Sequence, residues 1–269
     1  MGDRVRVAVS GAAGRMGRAA VRAIARDPDL VLVAALGRTN GIGRDAGEVA
    51  GGGSLDVAIT ADLQAVLRAG AEVLVDFSPG AAAVEHARAA IPAGVSPVIG
   101  GTGIAPQQIE DLSRLCGEHR IGAVVAPNFA IGAVLMMEFA RQAARYFPHA
   151  EVIEMHHDRK RDAPSGTATK TASLIAQTRG ETPRPAVQEE ELYAGARGAR
   201  VTGVPVHSVR LPGLVAHQAV IFGGPGQTLT IRHDSITEES FMPGMLLAIR
   251  RVRTLRQLVY GLERLLELA

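Results

Sequence analysis

Residues 154–167 read Glu-Met-His-His-Asp-Arg-Lys-Arg-Asp-Ala-Pro-Ser-Gly-Thr, the densest concentration of reactive side chains in a chain of 269 residues. Two adjacent histidines, a lysine four positions after the first, and a Ser-Gly-Thr run suited to a helix start bring a proton donor, a compact cation and an anion cradle together. Histidine is the side chain most readily poised near neutral pH for general acid chemistry. An ammonium neutralises a carboxylate or polarises an imine, and helix-entrance N–H groups with a hydroxyl beside them receive an anion. These residues call for a small anionic substrate. Plainer readings stand beside this one. Neighbouring residues on a strand face opposite ways, so one histidine of the pair can be simply packed. Asp158, Arg159, Arg161 and Asp162 can be a solvated charge run, Ser165 can be a structural N-cap, and His207, His217 and His233 suit packed or interface positions. Metal binding is the weaker competitor, because no Cys or further His stands at metal-ligand spacing.

A second signal is Gly11, Gly14 and Gly17, between a β-branched run and an Ala-rich stretch. Glycines in that context let the backbone turn sharply and approach a pyrophosphate, whose charge is met by N–H groups at the helix start. The spacing is G-x-x-G-x-x-G, so its weight comes from the strand before it and the helix after it; the alternative is a turn that only packs a helix on a sheet. The next strand ends at Gly37-Arg38-Thr39, where an acidic residue would read a ribose hydroxyl and an arginine accommodates a 2'-phosphate. The acid is missing and Arg38 is present, which suits NADPH and leaves NADH open; an ordinary exposed arginine is the plainer reading. Gly100-Gly101-Thr102-Gly103 and Ala126-Pro127-Asn128-Phe129 each follow a strand-like run, at the carboxyl ends where open α/β sheets bind ligands.

The elements that must position these residues alternate at first. Strands are expected over 4–10, 30–36, 73–77, 97–99 and 121–126, with helices over 16–26, 81–90 and 106–118. That alternation argues for a Rossmann-type parallel sheet wound on both faces. After residue 130 the pattern becomes one long helix over 131–147, a strand over 152–155, a helix over 167–179, and three successive strands over 206–210, 216–222 and 228–233. Strands in succession imply a mostly antiparallel sheet in a separate α+β domain. Residues 180–200 are expected to be a mobile insertion, and 241–269 to be helical again.

Composition removes several function classes. Hydrophobic residues make up 47% and charged residues 21%, enough apolar surface for a sizeable core. Aromatics supply 3% with no Trp, so Ala, Val, Leu and Ile must fill that core, and base-stacking platforms are absent. A net charge of +2 is too small for a nucleic-acid surface. The lone Cys116 forms no intrachain disulfide, no apolar run approaches the roughly 18 residues of a membrane span, and Asp3, Arg4 and Arg6 spoil a signal peptide. The expectation is a soluble cytoplasmic protein with neither nucleic-acid nor membrane partners. Of its 29 basic residues, all but Lys160 and Lys170 are arginine; Lys170, one turn into the next helix, reads as surface.

Together the motifs resemble the 4-hydroxy-tetrahydrodipicolinate (dihydrodipicolinate) reductase family of bacterial diaminopimelate and lysine biosynthesis. The resemblance runs from Val5 to about Arg253 and rests on GAAGRMG at 11–17, VDFS at 75–78, IGGTG at 99–103, APNFAIGAVL at 126–135, and above all E-x-H-H-x-x-K-x-D-A-P-S-G-T at 154–167. It implies a Rossmann domain over 1–130 completed by 238–269, and a central domain over 131–237 that binds substrate and builds a homotetramer. It implies NADPH- or NADH-dependent reduction of a small cyclic dicarboxylate, with His156 as proton donor and Lys160 as its catalytic partner. His157, Lys160, Gly166 and Thr167 would hold the dicarboxylate, beside Ser165 of the cradle. Gly11, Ala12, Ala13, Gly14, Arg15, Met16, Arg38, Gly100, Gly101, Thr102, Ala126, Pro127, Asn128 and Phe129 would contact the nucleotide, and no metal is implied. A different dehydrogenase of small carboxylic acids would share the first loop without needing the DAPSGT cradle. A nucleotide-sensing regulator would not need the His-Lys pair.

Overall fold

Val7, Ala8 and Val9 lie fully buried in the first strand, β1 (Val5–Ser10), as expected of a parallel strand covered on both faces. The computed structural model describes residues 4–181, 187–188 and 190–266. From β1 the chain alternates through α1 (Arg15–Arg26), β2 (Leu30–Leu36), α2 (Ala46–Val49), β3 (Ile59–Thr60), α3 (Leu63–Arg68), β4 (Val73–Asp76), α4 (Gly80–Ala90), β5 (Ser96–Ile99), α5 (Pro106–His119) and β6 (Ala123–Val125). In α1 the buried residues Gly17, Ala20, Val21 and Ile24 repeat at helical spacing, and Asp27-Pro28 ends the helix because Pro28 restricts Asp27 to extended backbone. Complete burial of Ile24 contributes about 2 kcal/mol. The short α2 and α3 were not anticipated; each is started by an aspartate, Asp45 accepting from Glu48 N–H and Asp62 from Gln64 N–H.

A second group of elements follows: α6 (Ile131–Ala143), β7 (His149–His156), α7 (Gly166–Arg179), β8 (Ala199–Val201), β9 (Val204–Arg210), β10 (Ala216–Gly224) and β11 (Gln227–Ser235). The five strands take the order β11-β10-β7-β9-β8, with every pair antiparallel except β7 and β9. The sheet is mostly antiparallel, as expected; β7 is inserted between β9 and β10, and its pairing with β9 is the parallel one. Alternate residues Val152, Val206, Val220 and Phe222 meet Ala140 of α6 and Ala168, Ala172 and Ile175 of α7 in one core. Helix α6 is shorter than expected, because the chain turns at residues 144–147 ahead of Pro148. Of the insertion expected over 180–200, residues 182–186 and 189 lie outside the described residues, and its end is strand β8.

The chain then forms a 3-10 turn (Glu238–Phe241), α8 (Met242–Val252) and β12 (Leu258–Tyr260). The expectation of helix through to residue 269 is corrected at β12, a three-residue strand that pairs in parallel with β6. The resulting seven-stranded parallel sheet has the order β12-β6-β5-β4-β1-β2-β3. Helices α1 and α8 pack on each other, while Ala83, Val84 and Ala87 of α4 and Leu112 and Cys116 of α5 share a separate core with β5 and β6. The chain divides into two compact units, one of Met1–Ala130 with Glu238–Ala269 and one of Ile131–Thr237.

Candidate active site

In the seven-stranded sheet the order reverses beside β1, with β2 and β3 on one side and β4 on the other, so the carboxyl ends of β1 and β4 flank a switch point where ligands bind. A groove of about 630 Å³ lies there, lined by Gly11, Ala13 and Gly14 after β1, by Gly37, Arg38, Thr39 and Asn40 after β2, and by Phe77, Ser78 and Pro79 after β4. Gly11 adopts φ +72°, and Gly17 is packed so closely that a Cβ would stand 2.0 Å from the Gly11 carbonyl oxygen. The loop thus runs tight against the first turn of α1, where helix N–H groups favour an anion. Ala12 is buried and its N–H donates to Leu36 C=O, which ties the loop to β2. Arg15 is largely exposed and pairs with Glu238 at 3.4 Å, and neither it nor Met16 lines the groove.

The remaining nucleotide candidates cluster at the ends of β5 and β6. Phe77 and Phe129 pack edge to face with centroids 6.0 Å apart, and Gly100 fits against both rings. A Cβ on Gly101 would come to 2.3 Å from the Ser78 carbonyl oxygen, so Gly101 is held against the β4 turn. Asn128 accepts from Ala130 N–H at 2.8 Å, Ala126 is buried, and none of residues 100–102 or 126–129 lines the groove itself. Sequence reasoning did not assign a role to the floor of this groove. There His86 Nδ1 lies 2.7 Å from buried Asp76 and 3.3 Å from Ser10 Oγ, which is 2.9 Å from Ser78 Oγ. Among the described residues, no acidic side chain lines the groove.

The second cluster is built on β7. Glu154 and His156 are two apart on the strand and share a face, and His156 Nδ1 stands 2.5 Å from Glu154 Oε2. Arg210, opposite His156 in the β7–β9 register, places Nη1 at 2.9 Å from Oε2 and Nη2 at 2.7 Å from Oε1 of the same carboxylate. Ser165 N–H donates to Oε1 at 3.2 Å. Glu154 is 0% exposed. Burial by itself would raise its pKa, but hydrogen bonds from His156, Arg210 and Ser208 outweigh that cost and hold it at about 2, against an ordinary 4.5. An ionised carboxylate only accepts, so Nδ1 of His156 carries the hydrogen and Nε2 is the nitrogen left for chemistry. Glu154 and Arg210 had no role in the sequence reading; the alternation of Glu154 with His156 was the available signal, and Arg210 had none.

After β7 the chain turns, and Lys160 N–H donates to His157 C=O at 3.1 Å, which brings Lys160 back beside the histidine pair. Lys160 Nζ sits 2.9 Å from both Asp162 oxygens, and that ammonium is the main cause of Asp162 titrating below the usual aspartate range. Arg210 Nη2 also donates to Asp162 C=O at 2.7 Å, tying this turn to β9. Ser165 is buried as the N-cap of α7, its Oγ accepting from Ala168 N–H at 3.2 Å. Its N–H and Oγ are thus engaged in building the cradle. Gly166 and Thr167 occupy the first two positions of α7, beyond the reach of the helix's own carbonyls. Beneath them Gln218 Nε2 donates to Thr171 Oγ1, which donates to Thr167 C=O, each at 2.8 Å. Among the described residues no group of three or more His, Cys, Asp or Glu is disposed to hold a metal ion.

Two family models cover the chain, dihydrodipicolinate reductase N-terminus over residues 5–129 and C-terminus over residues 132–266. The chain belongs to the dihydrodipicolinate reductase family. Within it, the 4-hydroxy-tetrahydrodipicolinate reductase of Moorella thermoacetica is 56% identical over 266 residues, 98% of each chain. That of Geobacillus thermodenitrificans is 50% identical over 264 residues, 98% of this chain and 99% of the relative. The solved structure of dipicolinate-bound dihydrodipicolinate reductase from Paenisporosarcina sp. TG-14 superposes with a TM-score of 0.86 at 44% identity, covering 98% of this chain and 100% of that one. By contrast, an amine dehydrogenase from Mycobacterium smegmatis is 17% identical with a TM-score of 0.64 over 98% of this chain and 97% of its own, a likeness of fold alone.

Proposed function

We propose that His156 donates the proton and Lys160 stabilises developing negative charge in the NAD(P)H-dependent reduction of 4-hydroxy-tetrahydrodipicolinate to tetrahydrodipicolinate. The two compounds differ by one hydroxyl, so the net change adds a hydride and a proton and releases water. The observation that carries the reading is that His156 and the entrance of α7 meet on one buried carboxylate, Glu154, whose partner Arg210 also holds the turn that carries Lys160. Gly166 and Thr167 receive one substrate carboxylate at that entrance, with His157 and Lys160 beside them. Lys160 exchanges the Asp162 carboxylate for that of the substrate, and His156 releases its proton from Nε2.

The groove after β1 suits a dinucleotide: its glycine loop lies tight against a helix start, and Arg38 is among its lining residues. Gly11, Ala13, Gly14 and Arg38 hold the nucleotide there, with residues 100–102 and 126–129 at the neighbouring strand ends serving its nicotinamide half. When bound, the cofactor supplies the hydride. The lack of acidic lining and the presence of Arg38 favour NADPH over NADH. The unit Ile131–Thr237 is the substrate-binding and oligomerisation domain of a homotetramer, and the protein works among the biosynthetic enzymes of the cytoplasm. Family membership supports both statements.

The experiment follows the absorbance of NADPH and, separately, NADH with substrate generated by the upstream synthase. Loss of absorbance with inhibition by dipicolinate is expected; no loss with either cofactor rejects the reading.

A further inference from the structure

The proposed chemistry leaves one strongly bonded acid without a task. Glu154 is buried, yet it receives the ring of His156, both ends of the Arg210 guanidinium, and the N–H of Ser165. We propose that Glu154 is the positioning residue of the proton donor, fixing the His156 ring with Nδ1–H on its own carboxylate so that only Nε2 exchanges a proton with substrate. The inference rests on the reductase reading for its catalytic consequence, but its geometric core does not.

Three features make the carboxylate specific for this task. Its two oxygens are distinguished by their donors: Oε2 takes His156 and Arg210 Nη1, and Oε1 takes Arg210 Nη2 and Ser165 N–H. Each oxygen therefore faces only donors, and an amide in place of the carboxylate must turn its NH2 against one of those pairs. Arg210 also reaches the Asp162 carbonyl, so the guanidinium that immobilises Glu154 fixes the turn carrying Lys160. A planar fork makes those contacts together, which a lysine ammonium cannot reproduce. Finally, the hydrogen bonds keep Glu154 ionised despite its burial, so it remains an acceptor whenever His156 gives up its proton.

The test combines nitrogen NMR of the histidine ring with steady-state kinetics on the full chain, for wild type, Glu154→Gln and Glu154→Asp. The His156 signals are identified by their loss in His156→Asn. In wild type the neutral ring is expected as the Nδ1–H tautomer, a result that needs no turnover and so stands apart from failure of the reductase reading. Glu154→Gln is expected to move the ring toward the Nε2–H tautomer and lower kcat by about 100-fold or more, the scale of general acid catalysis. Substrate KM and NADPH affinity should stay within about threefold, and Glu154→Asp should recover part of kcat. An Nε2–H tautomer in wild type overturns the proposal, even if no variant folds. So does kcat within about threefold of wild type in Glu154→Gln, or a loss shared equally by KM and NADPH affinity, which would make Glu154 merely structural.

Discussion

Lys160 Nζ lies 2.9 Å from each oxygen of Asp162, only two residues along the chain. This side chain already holds a carboxylate in a compact turn, and the pair is open to solvent on the Asp162 side. A guanidinium is broader and planar and cannot enter the same turn with its charge at the same point. Lys160→Arg is therefore expected to lower kcat/KM by about tenfold or more, the scale of one hydrogen bond to a charged group. Lys170→Arg, on the exposed side of α7, should stay within about twofold. Parallel kinetics on the two variants checks this, and equal small effects would remove Lys160 from the site.

Gly17 faces the Gly11 carbonyl so closely that an added Cβ would stand 2.0 Å away. Gly17→Ala must push the first turn of α1 off the Gly11–Ala12 loop, at about 1–3 kcal/mol. A lowered Tm together with weaker NADPH binding by fluorescence titration is the expected outcome; a variant that binds NADPH as wild type would show that the loop does not shape the groove.

Arg38 lines the groove beyond β2, and among the described residues no acidic side chain lines that groove. Removing it in Arg38→Ala should lower kcat/KM for NADPH by about tenfold and for NADH by no more than about twofold, since only NADPH carries the 2'-phosphate. The ratio of the two specificity constants is the measurement.

Much of the parallel sheet could be read from the chain because its strands are long enough to show buried runs; β2 occupies Leu30–Leu36 as expected. The strands β3 and β12, two and three residues long, carry no period of their own and exist through pairing with β2 and β6. Likewise His156, Lys160 and the start of α7 are adjacent in sequence and declare themselves as a motif. Glu154 and Arg210 meet across a separation of 56 residues, through a parallel pairing of β7 with β9 that successive strands did not suggest. The Ser10, Asp76 and His86 contacts beneath the groove are equally tertiary.

The Glu154 carboxyl also links stability to pH. Its folded pKa of about 2 lies below the ordinary 4.5, so the folded state binds this proton less tightly than the unfolded chain. The stabilisation is fully present above about pH 4.5 and is lost as pH falls toward about 2. Urea midpoints measured between about pH 7 and about pH 3 should fall more steeply in wild type than in Glu154→Gln. Parallel curves would show that Glu154 is not held ionised.

The most direct test of the central claim is the rate of NADPH absorbance loss with synthase-generated substrate, wild type against His156→Ala, with NADPH affinity measured on both. Turnover by wild type and a drop of about 100-fold or more in the variant at unchanged affinity is the result expected of the proton donor. No turnover by wild type, or equal rates in the two proteins, would contradict it.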